Sequence, residues 1–210
     1  MPILVCAATD LERAAWPGPM EGWLALTTGV GCVATLLSLA KVGPIDAVVS
    51  MGIAGAYLGR GLDIGDVVLA GSEVIGDLGM EIPDRGRFIP LGETEFGGPD
   101  SRVLSTCVPA PWRDRFRVVP ACTVSCCTGT AATGVFRRDR FDVAVETMEG
   151  AACAAFARDR GVPFVEVRAI SNFASERDMR PANIRIALEA LATTLESTVP
   201  ALAAVPVARW

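Results

Sequence analysis

Residues 142–172 read DVAVETMEGAACAAFARDRGVPFVEVRAISN. The run opens as an apolar strand at 142–147. It continues as a helix of very small side chains at 150–160, ended by Gly161 and Pro163, and returns as a second apolar strand at 163–170. Short apolar runs bounded by turn residues read as strands buried on both faces. Strands alternating with helices in this way indicate a mostly parallel sheet in an α/β layer architecture.

The same alternation extends outward. Strands are expected at 3–8 (ILVCAA), 23–28, 46–51, 66–75 and 117–125. Asp10 stands where a helix N-cap would, ahead of Leu11 to Trp16. An apolar helix is expected at 32–42, stopped by Pro44. A last helix starts near Pro181, and Ile184, Leu188, Leu191, Leu195 and Val199 recur along one of its faces. Residues 80–100 (MEIPDRGRFIPLGETEFGGPD) read as a long loop, a lid or an interface segment. No internal repeat is visible. The pattern predicts a single α/β domain over residues 1–210, with a mixed, mostly parallel central sheet flanked by helices. Ligands in such folds sit at the carboxyl ends of strands.

Composition narrows the function. Of 210 residues, 51% are hydrophobic and 20% charged, so a sizeable core is available. The net charge is −5, and Lys41 is the one lysine. A nucleic-acid groove needs a positive field, which this chain lacks. Residues 22–40 carry no charge, but Thr27, Thr28, Gly29 and Gly31 divide them into strand, turn and helix rather than a membrane span. The first residues, MPILVCAATD, have no basic region of a signal peptide. The chain reads as cytoplasmic. With no histidine, Ser-His-Asp and Cys-His catalysis and His-ligated metals are excluded. The seven cysteines read as small core residues in a reducing compartment. The CxxxCC at Cys122, Cys126 and Cys127 lacks a nearby fourth metal ligand.

Three polar clusters stand at strand ends. Asp10 and Glu12 follow the first strand, where a carboxylate can hold or deprotonate a water, or simply favour a helix N-terminus. Glu146 and Glu149 occupy a strand-to-helix junction, as a site or as a charged turn. Val167 to Asn172 is a buried strand ending in Ser171 and Asn172, an amide that can donate and accept, or cap its own turn.

Together these clusters resemble the nucleoside phosphorylase superfamily, in the purine nucleosidase branch that includes methylthioadenosine/adenosylhomocysteine nucleosidase. The matching segments are Ala8 to Glu12, Gly52 to Gly55, Thr147 to Ala152 and Val167 to Asn172. The resemblance implies a three-layer α/β/α fold and a small purine nucleoside substrate, with no metal or organic cofactor. It also implies a homodimer or higher homo-oligomer, in which the 80–100 loop closes the neighbour's pocket. It casts Glu12 as the general base, Glu149 as acceptor from the ribose hydroxyls, and Met148 as packing on the sugar. Ser171 and Asn172 would hold the base, with Arg168 in support and Thr128, Gly129 and Thr130 framing the base edge.

The chain departs from the nucleosidase pattern twice. Asn172 replaces the family's aspartic acid. A carboxamide can donate to O6 of a 6-oxopurine and accept from a protonated N7, whereas an acid suits a 6-amino group. A mismatch leaves a buried group unsatisfied, at about 1–3 kcal/mol. Ile53 replaces a serine beside Gly55, in a turn where related phosphorylases bind phosphate, and this favours water as nucleophile. With these departures, Gly52 to Ala56, Gly65 to Val68 and Val124 to Ala132 resemble the futalosine hydrolase family. That likeness implies release of hypoxanthine from futalosine, giving dehypoxanthine futalosine on a menaquinone route. The alternatives are a purine nucleoside phosphorylase, or a nucleosidase for 6-aminopurine nucleosides, on the same scaffold.

Overall fold

The computed structural model describes residues 1–82, 87–98, 103–176 and 180–210. Its strands are β1 (Ile3–Ala7), β2 (Trp23–Thr27), β3 (Ala47–Ala56), β4 (Val67–Ile75), β5 (Gly79–Ile82), β6 (Arg87–Pro90), β7 (Leu104–Ser105), β8 (Arg117–Thr123), β9 (Val145–Thr147) and β10 (Phe164–Phe173). Its helices are α1 (Asp10–Arg13), α2 (Cys32–Leu39), α3 (Ala131–Phe141), α4 (Gly150–Arg160) and α5 (Pro181–Ala203).

The main sheet runs β10-β4-β8-β9-β3-β1-β2, with β7 on β4. It is mixed and mostly parallel, as the alternation of strands and helices predicts. β10 also pairs with β3, so β3, β10, β4, β8 and β9 close into a circuit. β3 is the axis of this arrangement, and Val48, Val49 and Met51 on it are wholly buried.

One core lies under α5, where Leu191, Leu195, Val199 and Leu202 pack with Val5, Val49, Val167 and Trp112. Another lies under α4, where Ala151, Cys153, Ala154 and Ala157 meet Leu4, Cys6, Leu39 and Val48. Burying each leucine stabilises by roughly 1.5–3 kcal/mol. The tiny side chains of α4 bring its backbone close to the strands, which places its N-terminus at their carboxyl ends.

Several local expectations need correction. Thr9, not Asp10, caps α1: its hydroxyl accepts the Glu12 N–H, and Glu12 returns the bond in a capping box. Asp10 instead faces outward and accepts from the Thr27 hydroxyl. β3 continues through the glycines to Ala56, because Gly55 and Ala56 pair with β9. The helix expected at 32–42 ends at Leu39, short of Pro44. α3 has no counterpart in the sequence reading, since its polar run Arg137 to Arg140 masks the apolar face. The 80–100 segment contains the hairpin β5–β6, with Phe88 edge-on to Phe136 and Phe141 of α3. Its proline and charges mimic a loop, yet Phe88 anchors the hairpin on α3. Residues 83–86 and 99–100 of that segment lie outside the described residues. No described helix is long and apolar enough to cross a membrane.

Candidate active site

A cavity of about 310 Å³ opens where β1, β3, β9 and β10 end. The clusters at 8–12, 52–55, 146–149 and 171–172 all reach its wall.

Glu12 enters from α1. Its Oε1 accepts the Ile53 N–H at 3.0 Å, and its Oε2 accepts the Thr9 N–H at 3.0 Å and the Thr9 hydroxyl at 2.9 Å. The helix-capping role and the site role therefore fall on one carboxylate. The room for it comes from Gly52: a Cβ there would strike the Glu12 carboxylate and come within 2.7 Å of Arg168 Nη1.

Glu149 is the N-cap residue of α4, yet its side chain does not cap that helix. Its Oε1 instead accepts the Gly31 N–H at 2.9 Å. Gly31 has φ +87°, a left-handed conformation that glycine adopts without strain. Burial pushes the Glu149 carboxyl above its ordinary value. Arg168 and the Gly31 N–H oppose that shift, while Glu12 and Glu166 add to it.

Ser171 and Asn172 arrive through a register shift in β10, where Ile170 pairs with Ala54 but Asn172 with Gly55. Such bulges re-aim a side chain next to a site. The Ser171 hydroxyl donates to Asn172 Oδ1 at 3.0 Å, and Asn172 Nδ2 donates to the Phe173 carbonyl at 3.2 Å. One N–H and one lone pair of the amide remain for a ligand. A Cβ at Gly55 would press on Asn172 Nδ2 at 3.1 Å, so this glycine keeps the amide in place.

Ile53, Met148 and Thr128 also line the wall. Thr128 donates its N–H to Glu146 Oε1 at 2.7 Å and its hydroxyl to Oε2. Tyr57 and Arg137 also donate to Glu146 Oε2, at 2.9 and 3.1 Å. Gly129 and Thr130 lie outside the cavity wall; the Thr130 hydroxyl caps α3 by accepting the Thr133 N–H. A framing role on this segment therefore narrows to Thr128. Arg168 is also absent from the wall. It is buried behind Glu12 and Glu149, where the carboxylates of Glu166, Glu149 and Glu12 outweigh the cost of burial and hold its guanidinium charged.

Three wall features escaped the sequence reading. Ile184 and Leu188 of α5 read as core, but they are half-buried and roof the cavity. Their signal merged with the stripe of Leu191, Leu195 and Val199. Cys127 lies in the wall with its thiol 3.3 Å from the Met148 sulfur. Cys122 is buried and Cys126 exposed, so the CxxxCC does not converge. Among the described residues, no group of three His, Cys, Asp or Glu is placed to hold a metal. The third feature is a groove of about 500 Å³ between α1 and α5, which shares Leu11, Ile184 and Leu188 with the cavity and carries Arg185 and Glu189 on its edge.

The wall thus presents Glu12, Glu146 and Glu149, and among the described residues no Lys or Arg. An arrangement of carboxylates facing an amide suits a reaction in which positive charge grows at one end of a substrate and negative charge at the other.

A model of the phosphorylase superfamily matches residues 24–204. Futalosine hydrolase of Streptomyces coelicolor is 32% identical, covering 96% of this chain and 97% of its own. Futalosine hydrolase of Thermus thermophilus is 31% identical over 85% of this chain and 82% of its own. A futalosine hydrolase structure from Helicobacter pylori superposes with a TM-score of 0.78 at 18% identity, covering 95% of this chain and 99% of that one. An S-adenosylhomocysteine nucleosidase from Streptococcus pyogenes superposes at 0.77 with 21% identity, covering 98% of both chains. The fold and family model define the class, the phosphorylase superfamily. Within it the chain belongs to the futalosine hydrolase family, as an N-glycosyl hydrolase.

Proposed function

We propose that the chain hydrolyses the N-glycosidic bond of futalosine, releasing hypoxanthine and leaving dehypoxanthine futalosine, a step of menaquinone biosynthesis in the cytoplasm. The observation that carries hydrolysis over phosphorolysis is the cavity wall, where Glu12 and Glu149 stand and, among the described residues, no Lys or Arg does. Phosphate would meet repulsion there, whereas water meets a base.

In this reading Glu12 takes a proton from a water below C1′. Its hydrogen bonds from Ile53 and Thr9 keep it aimed. Glu149 accepts from the ribose hydroxyls, and these bonds strengthen as the sugar becomes oxocarbenium-like. Met148 packs on the sugar face. The free N–H of Asn172 donates to O6, and its free lone pair accepts from N7–H. An amide delivers no proton of its own, so N7 takes one from solvent. General acid–base help supplies about 10²–10⁴-fold, and the fixed charges supply more. The 5′ substituent, an aryl ketone ending in a carboxylate, runs into the α1–α5 groove toward Arg185.

The assembly is a homo-oligomer in this reading. Val33, Leu36 and Leu37 form an exposed apolar face on α2, which supports it. Light scattering that returns a monomer would remove this part.

The decisive experiment incubates the protein with futalosine, aminofutalosine, inosine and methylthioadenosine, with and without phosphate, and quantifies free base and sugar phosphate. Hypoxanthine from futalosine without phosphate is the expected result. Phosphate-dependent release, or preference for a 6-aminopurine nucleoside, would move the chain to one of the alternatives. Glu12→Gln should bind substrate yet lose at least about 10²-fold in kcat.

A further inference from the structure

We propose that Glu73 and Glu166 hold one proton between them and act as a single negative charge that positions Arg168 behind Glu12 and Glu149. This rests on the function proposed above and adds two positioning residues to it.

The geometry is a closed polar cluster inside the sheet circuit. Arg168 Nε donates to Glu166 Oε1 at 2.8 Å, and Nη2 donates to the Ser50 hydroxyl at 2.8 Å. Glu73 Oε2 accepts the Thr123 hydroxyl at 2.8 Å, and its Oε1 lies 3.4 Å from the Thr147 hydroxyl. Glu73 and Glu166 are both 0% exposed. Their oxygens converge at Gly150, where an added Cβ would lie 2.6 Å from each Glu166 oxygen and also strike Glu73 Oε1. Glu166 Oε2 has no donor from any ordinary hydrogen-bonding group.

Two ionised carboxylates that close in a dry interior repel strongly, so one takes a proton. Glu166 faces the guanidinium, the natural place for the pair's single negative charge. Glu73 has only hydroxyl partners, so it carries the proton and donates it to the orphaned Glu166 Oε2. No net transfer occurs: the proton stays on Glu73 and the bond satisfies both groups. Burial and then the neighbouring Glu166 charge push Glu73 well above the carboxylate range. The remaining titratable neighbours are thiols. Burial raises Cys32 on α2 to about 11 and raises Cys122 on β8 further. Cys153 on α4 is raised first by its bond to Cys6 of β1. All stay neutral.

With Glu166 as its partner, Arg168 is anchored but not saturated, and it stands against Glu12 and Glu149 with part of its field to spare. Two negative charges behind Arg168 would cancel that field, and none would let Arg168 bind the working carboxylates too tightly.

The test compares Glu166→Gln with Glu73→Gln on the intact chain, reading the pH profile of kcat/KM for nucleoside hydrolysis. Glu166→Gln should shift the acid limb down by roughly one pH unit, because the unpartnered guanidinium stabilises the Glu149 carboxylate, and should lower kcat more than it changes KM. Glu73→Gln replaces a neutral donor with a neutral donor, so its acid limb should coincide with wild type whatever its rate. A coincident limb in Glu166→Gln, or a Glu73→Gln limb that moves, overturns the proposal. A second measurement needs no turnover. At pH 8 the infrared spectrum of the wild type should show the carbonyl stretch of a protonated carboxylic acid that is missing from Glu73→Gln, and its absence from wild type also overturns the proposal. A wild type that releases no base from any nucleoside refutes the function instead, and leaves the infrared result standing.

Discussion

Glu12 Oε1 accepts the main-chain N–H of Ile53 at 3.0 Å, which ties the first helix to the central strand at the floor of the cavity. The bond is possible only because residue 52 is glycine. Gly52→Ala should therefore displace the Glu12 carboxylate while leaving the sheet intact. A displacement near 1 Å costs roughly 10²-fold in rate. The check is kcat/KM beside a thermal melt; a variant with normal kinetics would dissociate Glu12 from the reaction.

Asn172 keeps one N–H and one lone pair for a purine edge. Asn172→Asp should turn preference from inosine-like toward adenosine-like nucleosides. One mismatched buried hydrogen bond, at about 1–3 kcal/mol, corresponds to roughly 5- to 150-fold in the ratio of the two kcat/KM values. An unchanged ratio would leave the carboxamide without a role in base selection.

Glu149 is useful as an acceptor from ribose only when ionised. Burial, the largest influence, holds its carboxyl above the ordinary 4.5, and Arg168 and the Gly31 N–H only partly offset this. A raised value means that activity falls as pH drops through a point above 4.5. An acid limb of kcat/KM at or below 4.5 would contradict the buried, substrate-facing state of this group.

Among the described residues, Arg185 is the single cation on the groove that continues the cavity, with its side chain 74% exposed and Glu189 at 3.8 Å. An exposed pair is screened, so its effect is small. Arg185→Ala should raise KM for futalosine roughly 2- to 5-fold and leave inosine unaffected. An equal change for both nucleosides would place the carboxylate elsewhere.

Much of this arrangement is legible in the linear chain. The strand–helix–strand unit at 142–172 announces itself because apolar runs, small helical residues and Gly161 each impose a local geometry. Polar residues near the ends of apolar strands, Glu149, Ser171 and Asn172, mark a candidate site, although a charged or self-capped turn reads the same way. Local period records which face is buried, and that suffices for the class of fold.

Long-range pairing leaves no such record. The closure of β10 on β3, the shifted register that turns Asn172 inward, and the Gly31 N–H that meets Glu149 across 118 positions depend on how strands lie beside one another. Glu73 and Glu166 each look like an isolated acid in an apolar strand. Only the sheet circuit brings them together behind Arg168, with the guanidinium facing one of them and hydroxyls the other. Likewise Ile184 and Leu188 share a helical stripe with true core residues. The cavity beneath them lies where α1 and α5 meet the ends of the strands, a spacing set by packing between elements and not by the period of either one.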